Sequence, residues 1–160
     1  MRRYFPLIVL AIAAALQTAH AQASATVEEQ RFQAIDKPDP AIVRQVLARW
    51  PDVTEDDLKV DFADCEIEAR AAQHCATYWG IEQDVRLNRV YAKATAAMSE
   101  ERLKSLLVRS ERTWIAYRDA QCLIEANREQ RHSWAGAFNL QCIADMTRQR
   151  ANWLQGITPG

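Results

Sequence analysis

Residues 99–128 read SEERLKSLLVRSERTWIAYRDAQCLIEANR, and this stretch decides the fold class. Leu103, Leu107, Ser110, Trp114, Tyr117, Gln121 and Ile124 recur at alternating steps of four and three. That spacing lays one stripe along a long helix and suits packing against a neighbouring helix. Ser99 is the expected cap, with Arg102 where a capping box would carry an acid.

The pattern extends in both directions. Upstream, residues 69–98 read as a second long helix. Ala72, Ala76 and Trp79 begin its apolar stripe, Leu87, Val90, Tyr91, Ala94 and Met98 continue it, and Gly80 marks a place where it could break. Downstream, a loop around 130–136 precedes a last helix over residues 137–155. Ile143, Met146, Thr147, Arg150 and Leu154 share one face of it, and Gly156 and Pro159 follow as stop signals. Before residue 65, Asp39-Pro40 reads as an N-cap with proline in the first helical position. Ile42, Val43, Val46, Leu47 and Trp50 then keep helical spacing up to Pro51. Thr54 to Asp57 is a second capping pattern, and residues 59–62 are expected to be a short extended piece. Only four glycines occur, no run alternates as a strand should, and no internal repeat is present. The expected fold is all-α: an antiparallel bundle of three main helices plus a short N-terminal helix, stapled by two disulfides.

The chain starts as an export signal does. Arg2 and Arg3 precede the apolar run LIVLAIAAAL at 7–16, and Ala19-His20-Ala21 and Ala21-Gln22-Ala23 offer cleavage sites. The apolar run is too short for a membrane span, which needs about 20 residues. Neither site is followed by cysteine, so no lipid anchor is expected after cleavage. The expected organisation is a signal peptide over 1–23, an N-terminal extension over 24–64 and a helical domain over 65–156. Cleavage removes two of the 20 basic residues and none of the 21 acidic ones. The mildly acidic remainder argues against nucleic acid and anionic membrane surfaces as partners.

The processed chain keeps Cys65, Cys75, Cys122 and Cys142, an even number that suits an oxidising compartment and allows three pairings. Cys122 near the end of one helix and Cys142 near the start of the next fall at a similar height in an antiparallel hairpin. Cys65 lies just before the helix that holds Cys75. We therefore expect Cys65–Cys75 and Cys122–Cys142, each contributing on the order of 3 kcal/mol by closing a loop in the unfolded chain.

Chemistry is sparse. His74 beside Cys75 would be a metal candidate only with free thiolates, and bridged cysteines remove them. His132 lies in a polar loop. There is no G-x-S-x-G motif, no glycine-rich phosphate loop and no pattern of nucleophile and base. Neither a metal nor a cofactor nor catalysis is expected. Inside WIAYRDAQC, Arg118 and Asp119 are neighbours that do not face each other on a helix, so each needs its own partner. Arg150 is the candidate partner for Asp119. These residues form either a polar network that fixes helix register or a recognition surface.

The stretch from Cys65 to about Leu154 resembles the LprI-like lysozyme-inhibitor domain family. The resemblance rests on Cys65 and Cys75, Leu87-Asn88, Tyr91, Leu107, Trp114, Tyr117-Arg118-Asp119, Cys122, Cys142, Thr147, Arg150 and Leu154. Glu111 stands where the family usually has glutamine, and HSWAG at 132–136 replaces its usual paired glycines. The resemblance implies an exported helical protein that inhibits lysozyme. Lysozyme or another peptidoglycan hydrolase is then the expected partner, in the periplasm or outside the cell. An inhibitor needs a rigid projection rather than a catalytic centre. The loop Arg131, His132, Ser133 and Trp134 offers the residue types of binding hot spots. The alternative for Trp134 is that it tucks back onto the bundle. The alternative function is a periplasmic interaction or envelope-stress module without inhibitory activity, using residues 24–64 with Trp50 and Trp79 as anchors.

Overall fold

The computed structural model describes residues 32–128 and 132–157. The expected signal peptide and Arg131 lie outside them. Within this span the regular structure is helical: α1 (Pro40–Arg49), α2 (Glu55–Ala63), α3 (Ala69–Ala97), α4 (Glu101–Arg128) and α5 (Ala135–Ile157), with a single 3₁₀ turn at His132–Trp134 before α5.

The local signals explain most boundaries. The Asp39 carboxylate accepts from the Ala41 amide at 2.7 Å, and Pro40 opens α1 with its φ already helical. The Asp39 amide in turn donates to the Tyr78 hydroxyl at 2.7 Å, which ties the start of α1 to α3. Thr54 and Asp57 form a reciprocal capping box. With Glu55, Asp56 and Asp57 in the first turn, against the positive end of the helix dipole, that box carries α2 through to Ala63. Residues 59–62 are therefore helical, not extended. Helix α3 runs unbroken through Gly80. The cost of a mid-helix glycine, about 1 kcal/mol, is outweighed by packing along the whole of α3. Leu103 and Lys104 donate to the Glu100 carbonyl, so α4 starts one residue later than a Ser99 cap would give.

The three long helices run up, down and up. Arg118 of α4 meets Thr147 of α5, and Arg150 of α5 meets Ser110 of α4, so these two are antiparallel. Arg86 of α3 donates to Asn152 and Gln155 of α5, while the start of α5 lies on the start of α3, so those two run parallel. A Cβ at Gly136 would lie 3.0 Å from Gln73 Nε2, and glycine there lets the two helix starts approach. Helix α5 is the shared element: it packs along both α3 and α4, while α1 and α2 pack on α3.

Two apolar cores result. One gathers Phe32, Ile42, Val46, Leu58, Phe62, Tyr78 and Phe138 around the Cys65–Cys75 disulfide. Residues 32–64 thus share a core with the helical domain. Phe32 has φ of 56°, a left-handed conformation that costs a non-glycine residue about 1–2 kcal/mol. Its ring recovers that cost against Trp134 and Phe138, at centroid distances of 5.7 and 5.6 Å. The second core, at the other end, is Leu87, Val90, Ala94, Leu107, Ala151 and Leu154. The second disulfide, Cys122–Cys142, joins α4 to α5. Both pairings agree with the expected ones.

Candidate functional site

The polar residues of the 114–122 motif lie along the α4–α5 interface. Trp114 is half-buried there, with the Arg118 guanidinium 5.1 Å and the Arg150 guanidinium 5.6 Å from its ring centroid. Arg118 donates to Asp119 Oδ1 at 2.9 Å and to the buried Thr147 hydroxyl at 3.1 Å, and it lies 3.9 Å from Asp84 of α3. Arg150 donates to Glu111 at 2.9 Å and to Ser110 at 2.9 Å, and it stacks on Trp153 at 4.4 Å.

This wiring corrects two expectations. Asp119 is paired with its neighbour Arg118, because a long arginine side chain can curl back along the helix even though adjacent Cβ atoms diverge. Arg150 is paired with Glu111 and not with Asp119. In the antiparallel pair Arg150 lies level with residues 110 and 111, about 12 Å along α4 from Asp119 at 1.5 Å per residue. Glu111, where the family usually has glutamine, makes a charge-assisted bond of the stronger kind. The seam of α4 is also displaced. Its inward side is Leu107, Glu111, Trp114, Arg118, Cys122 and Ala126, whereas Tyr117 is 59% exposed and Ile124 is 61% exposed.

Beside this network α3, α4 and α5 leave a cleft of about 390 Å³. Arg49 of α1 stands at it, Asp84, Arg118 and Asp119 supply charge, and Ile81 and Leu140 supply apolar wall. Burial raises the Asp84 pKa above its ordinary 3.8, with Arg118 opposing the rise and Asp119 adding to it. Asn139 also lines the cleft, and its buried Oδ1 makes no hydrogen bond among the described residues. The charge in this cleft can hold a polar group in place. Its lining has no histidine, cysteine or serine, and its one hydroxyl, Thr77, donates to the Gln73 carbonyl at 2.7 Å. The sequence reading missed Asp84 and Arg49. Asp84 falls on the four-residue ladder Ala72, Ala76, Gly80, and a carboxylate on a core-facing ladder was the available signal.

The remaining candidates take structural positions. His74 is fully buried and its Nδ1 is hydrogen-bonded to the Asp61 carboxylate, with Trp50 edge-on at 5.0 Å. Cys65 and Cys75 are bonded to each other, so neither is a thiolate. Trp50 donates to Thr77 at 3.3 Å, and Trp79 lies against Phe32, so both expected anchors are half-buried parts of the packing. In the loop before α5, His132 and Ser133 are exposed, while Trp134 is half-buried with its ring on Phe32 and Phe138.

The family described as "Lysozyme inhibitor LprI" matches residues 63–154. The chain belongs to the LprI lysozyme-inhibitor family. The match takes in both disulfides, the whole of α3 and α4, the connecting loop and most of α5. No curated protein and no solved structure matches the chain. The LprI family is an inhibitor family. Among the described residues no helix is long and apolar enough to cross a membrane.

Proposed function

We propose that the protein is exported to the periplasm or beyond and inhibits lysozyme, or a related peptidoglycan hydrolase, by occluding its substrate cleft. The observation that carries this reading is the family match over 63–154, the part of the chain that contains both staples and the loop between them. Lysozyme acts through two carboxylates in a cleft, so a rigid donor-bearing projection is enough to block it. His132 and Ser133 are the proposed projection, and Arg131, next to them in the sequence, is a proposed contact. His132 and Ser133 are exposed, and Trp134 anchors the base of the loop on the aromatic core instead of entering the partner. The Cys122–Cys142 disulfide holds the two helices that flank this loop, which lowers the ordering cost of binding. Charge favours the encounter as well. Between residues 50 and 84 the chain has ten acidic residues and only two basic ones, Lys59 and Arg70, which suits approach to a basic enzyme.

The test is steady-state inhibition of lysozyme at several substrate concentrations. Occlusion predicts competitive inhibition, weakened about tenfold or more when His132 and Ser133 are both replaced by aspartate, with melting unchanged. Inhibition that does not depend on substrate concentration would reject occlusion while leaving inhibition in place. The absence of inhibition at micromolar protein would favour the interaction-module reading.

A further inference from the structure

The outward side of α4 carries a surface that the inhibitor reading does not use. At 100° per residue, an arc of roughly 160° faces away from α5 and borders the cleft only at Leu123. Between residues 102 and 128 this arc holds no aspartate or glutamate. The acids of this stretch lie elsewhere and are engaged: Glu111 with Arg150, Asp119 with Arg118 and Glu125 with Arg128. Arg102, Arg109 and Arg112 lie along one side of the arc, are exposed, and make no ion pair among the described residues. Beside them Leu106, Tyr117 and Ile124 fall on one line within about 20° of each other and about 27 Å long. All three are exposed.

A cationic row next to a parallel apolar row, both on one solvent-facing helix, is the pattern of a helix that lies on a membrane surface. We propose that this side of α4 adsorbs reversibly to anionic phospholipid. The arginines would lie at the headgroup phosphates and the line through Tyr117 at the acyl boundary. Charge complementarity selects an anionic partner, and the apolar line selects lipid over a nucleic acid or an acidic polysaccharide, neither of which rewards exposed aliphatic side chains. The mildly acidic net charge argued against such a surface, but the acids concentrate in residues 50–84, on α2, its flanking segments and the first half of α3, and leave this arc basic. Adsorption of this kind is peripheral and needs no anchor.

The experiment is co-sedimentation of the processed chain, starting at Ser24, with phosphatidylglycerol-containing vesicles and with pure phosphatidylcholine vesicles. The expected result is binding to the first only, weakening as salt rises. Replacing Arg102, Arg109 and Arg112 by glutamine lowers partitioning about a hundredfold, at about fivefold per arginine. Replacing Leu106, Tyr117 and Ile124 by serine lowers it about tenfold or more, with the melting temperature unchanged. No binding to phosphatidylglycerol vesicles would overturn the proposal. So would a serine variant that binds as well as the wild type while duplex DNA competes, since that identifies a generic anion surface. Neither result bears on lysozyme inhibition, which is read in a separate assay.

Discussion

The two disulfides, both close to the adjoining starts of α3 and α5, tie regions that are held in different ways. Around Cys65–Cys75, α1, α2 and the starts of α3 and α5 bury aromatic and aliphatic side chains against one another. Along the α4–α5 seam that Cys122–Cys142 staples, α4 buries only Leu107, Cys122 and Ala126 and meets α5 through tryptophan, arginine and carboxylate. The first region is stabilised by area removed from water, which is insensitive to orientation. The second depends on a few directional contacts, each needing both partners. Helix α4 is therefore the long helix whose position is least secured by a core, and it also carries the exposed apolar and basic face.

Four changes break or sharpen this contrast. The largest effect is expected from Phe62→Ala in the apolar region around Cys65–Cys75. Phe62 is buried and lies edge-on to Tyr78 at 5.3 Å, so truncation should cost about 4 kcal/mol in denaturant unfolding. Removing Cys122–Cys142 by paired serine substitution comes next, at about 3 kcal/mol. Hydrogen exchange should locate its loosening in α4, with α1 and α2 unchanged. Arg150→Ala follows at about 2 kcal/mol, because it strands the nearly buried Glu111 carboxylate and removes the cation beside Trp114. A Glu111→Gln change in that background should recover part of the loss. Tyr117→Ala should move the melting temperature least, within the range of about 0.5 kcal/mol typical of exposed positions. A loss of several kcal/mol at Tyr117 would mean that α4 is rotated from its described orientation.

The pH dependence carries a smaller sign. Asp84 holds its proton above the ordinary carboxylate value of 3.8, so the folded state binds that proton more tightly than the unfolded chain. Its contribution favours folding at pH below 3.8 and is lost as pH rises through the folded value. Asp84→Asn should therefore flatten the melting temperature against pH in the range just above 3.8, as read by thermal scans across acid buffers.

The helices, their order and both disulfides were legible in the sequence because apolar spacing, caps and loop lengths are local properties. The face that α4 turns inward was not. The stripe through Ser110, Tyr117 and Ile124 followed apolar and aromatic spacing and left Arg118 off the inward side. Arg118 instead points inward because Asp119, Thr147, Asp84 and the Trp114 ring together satisfy it, and those partners lie on three helices. Residues 59–62, expected to be extended, are helical because the Thr54–Asp57 capping box starts a helix that runs through them. For the candidate site, the loop at 131–134 was visible as a composition, but the fate of Trp134 depended on Phe32, about a hundred residues away. The cleft at Asp84 needed three helices to be in place before it existed.

Lysozyme turnover in the presence of the purified, oxidised chain, with the same chain reduced as the companion sample, tests the central claim most directly. The account predicts stoichiometric loss of turnover with the oxidised protein at micromolar concentration or below, and a marked recovery of turnover with the reduced one. Full lysozyme activity in the presence of excess oxidised protein, repeated with other peptidoglycan hydrolases, would contradict it.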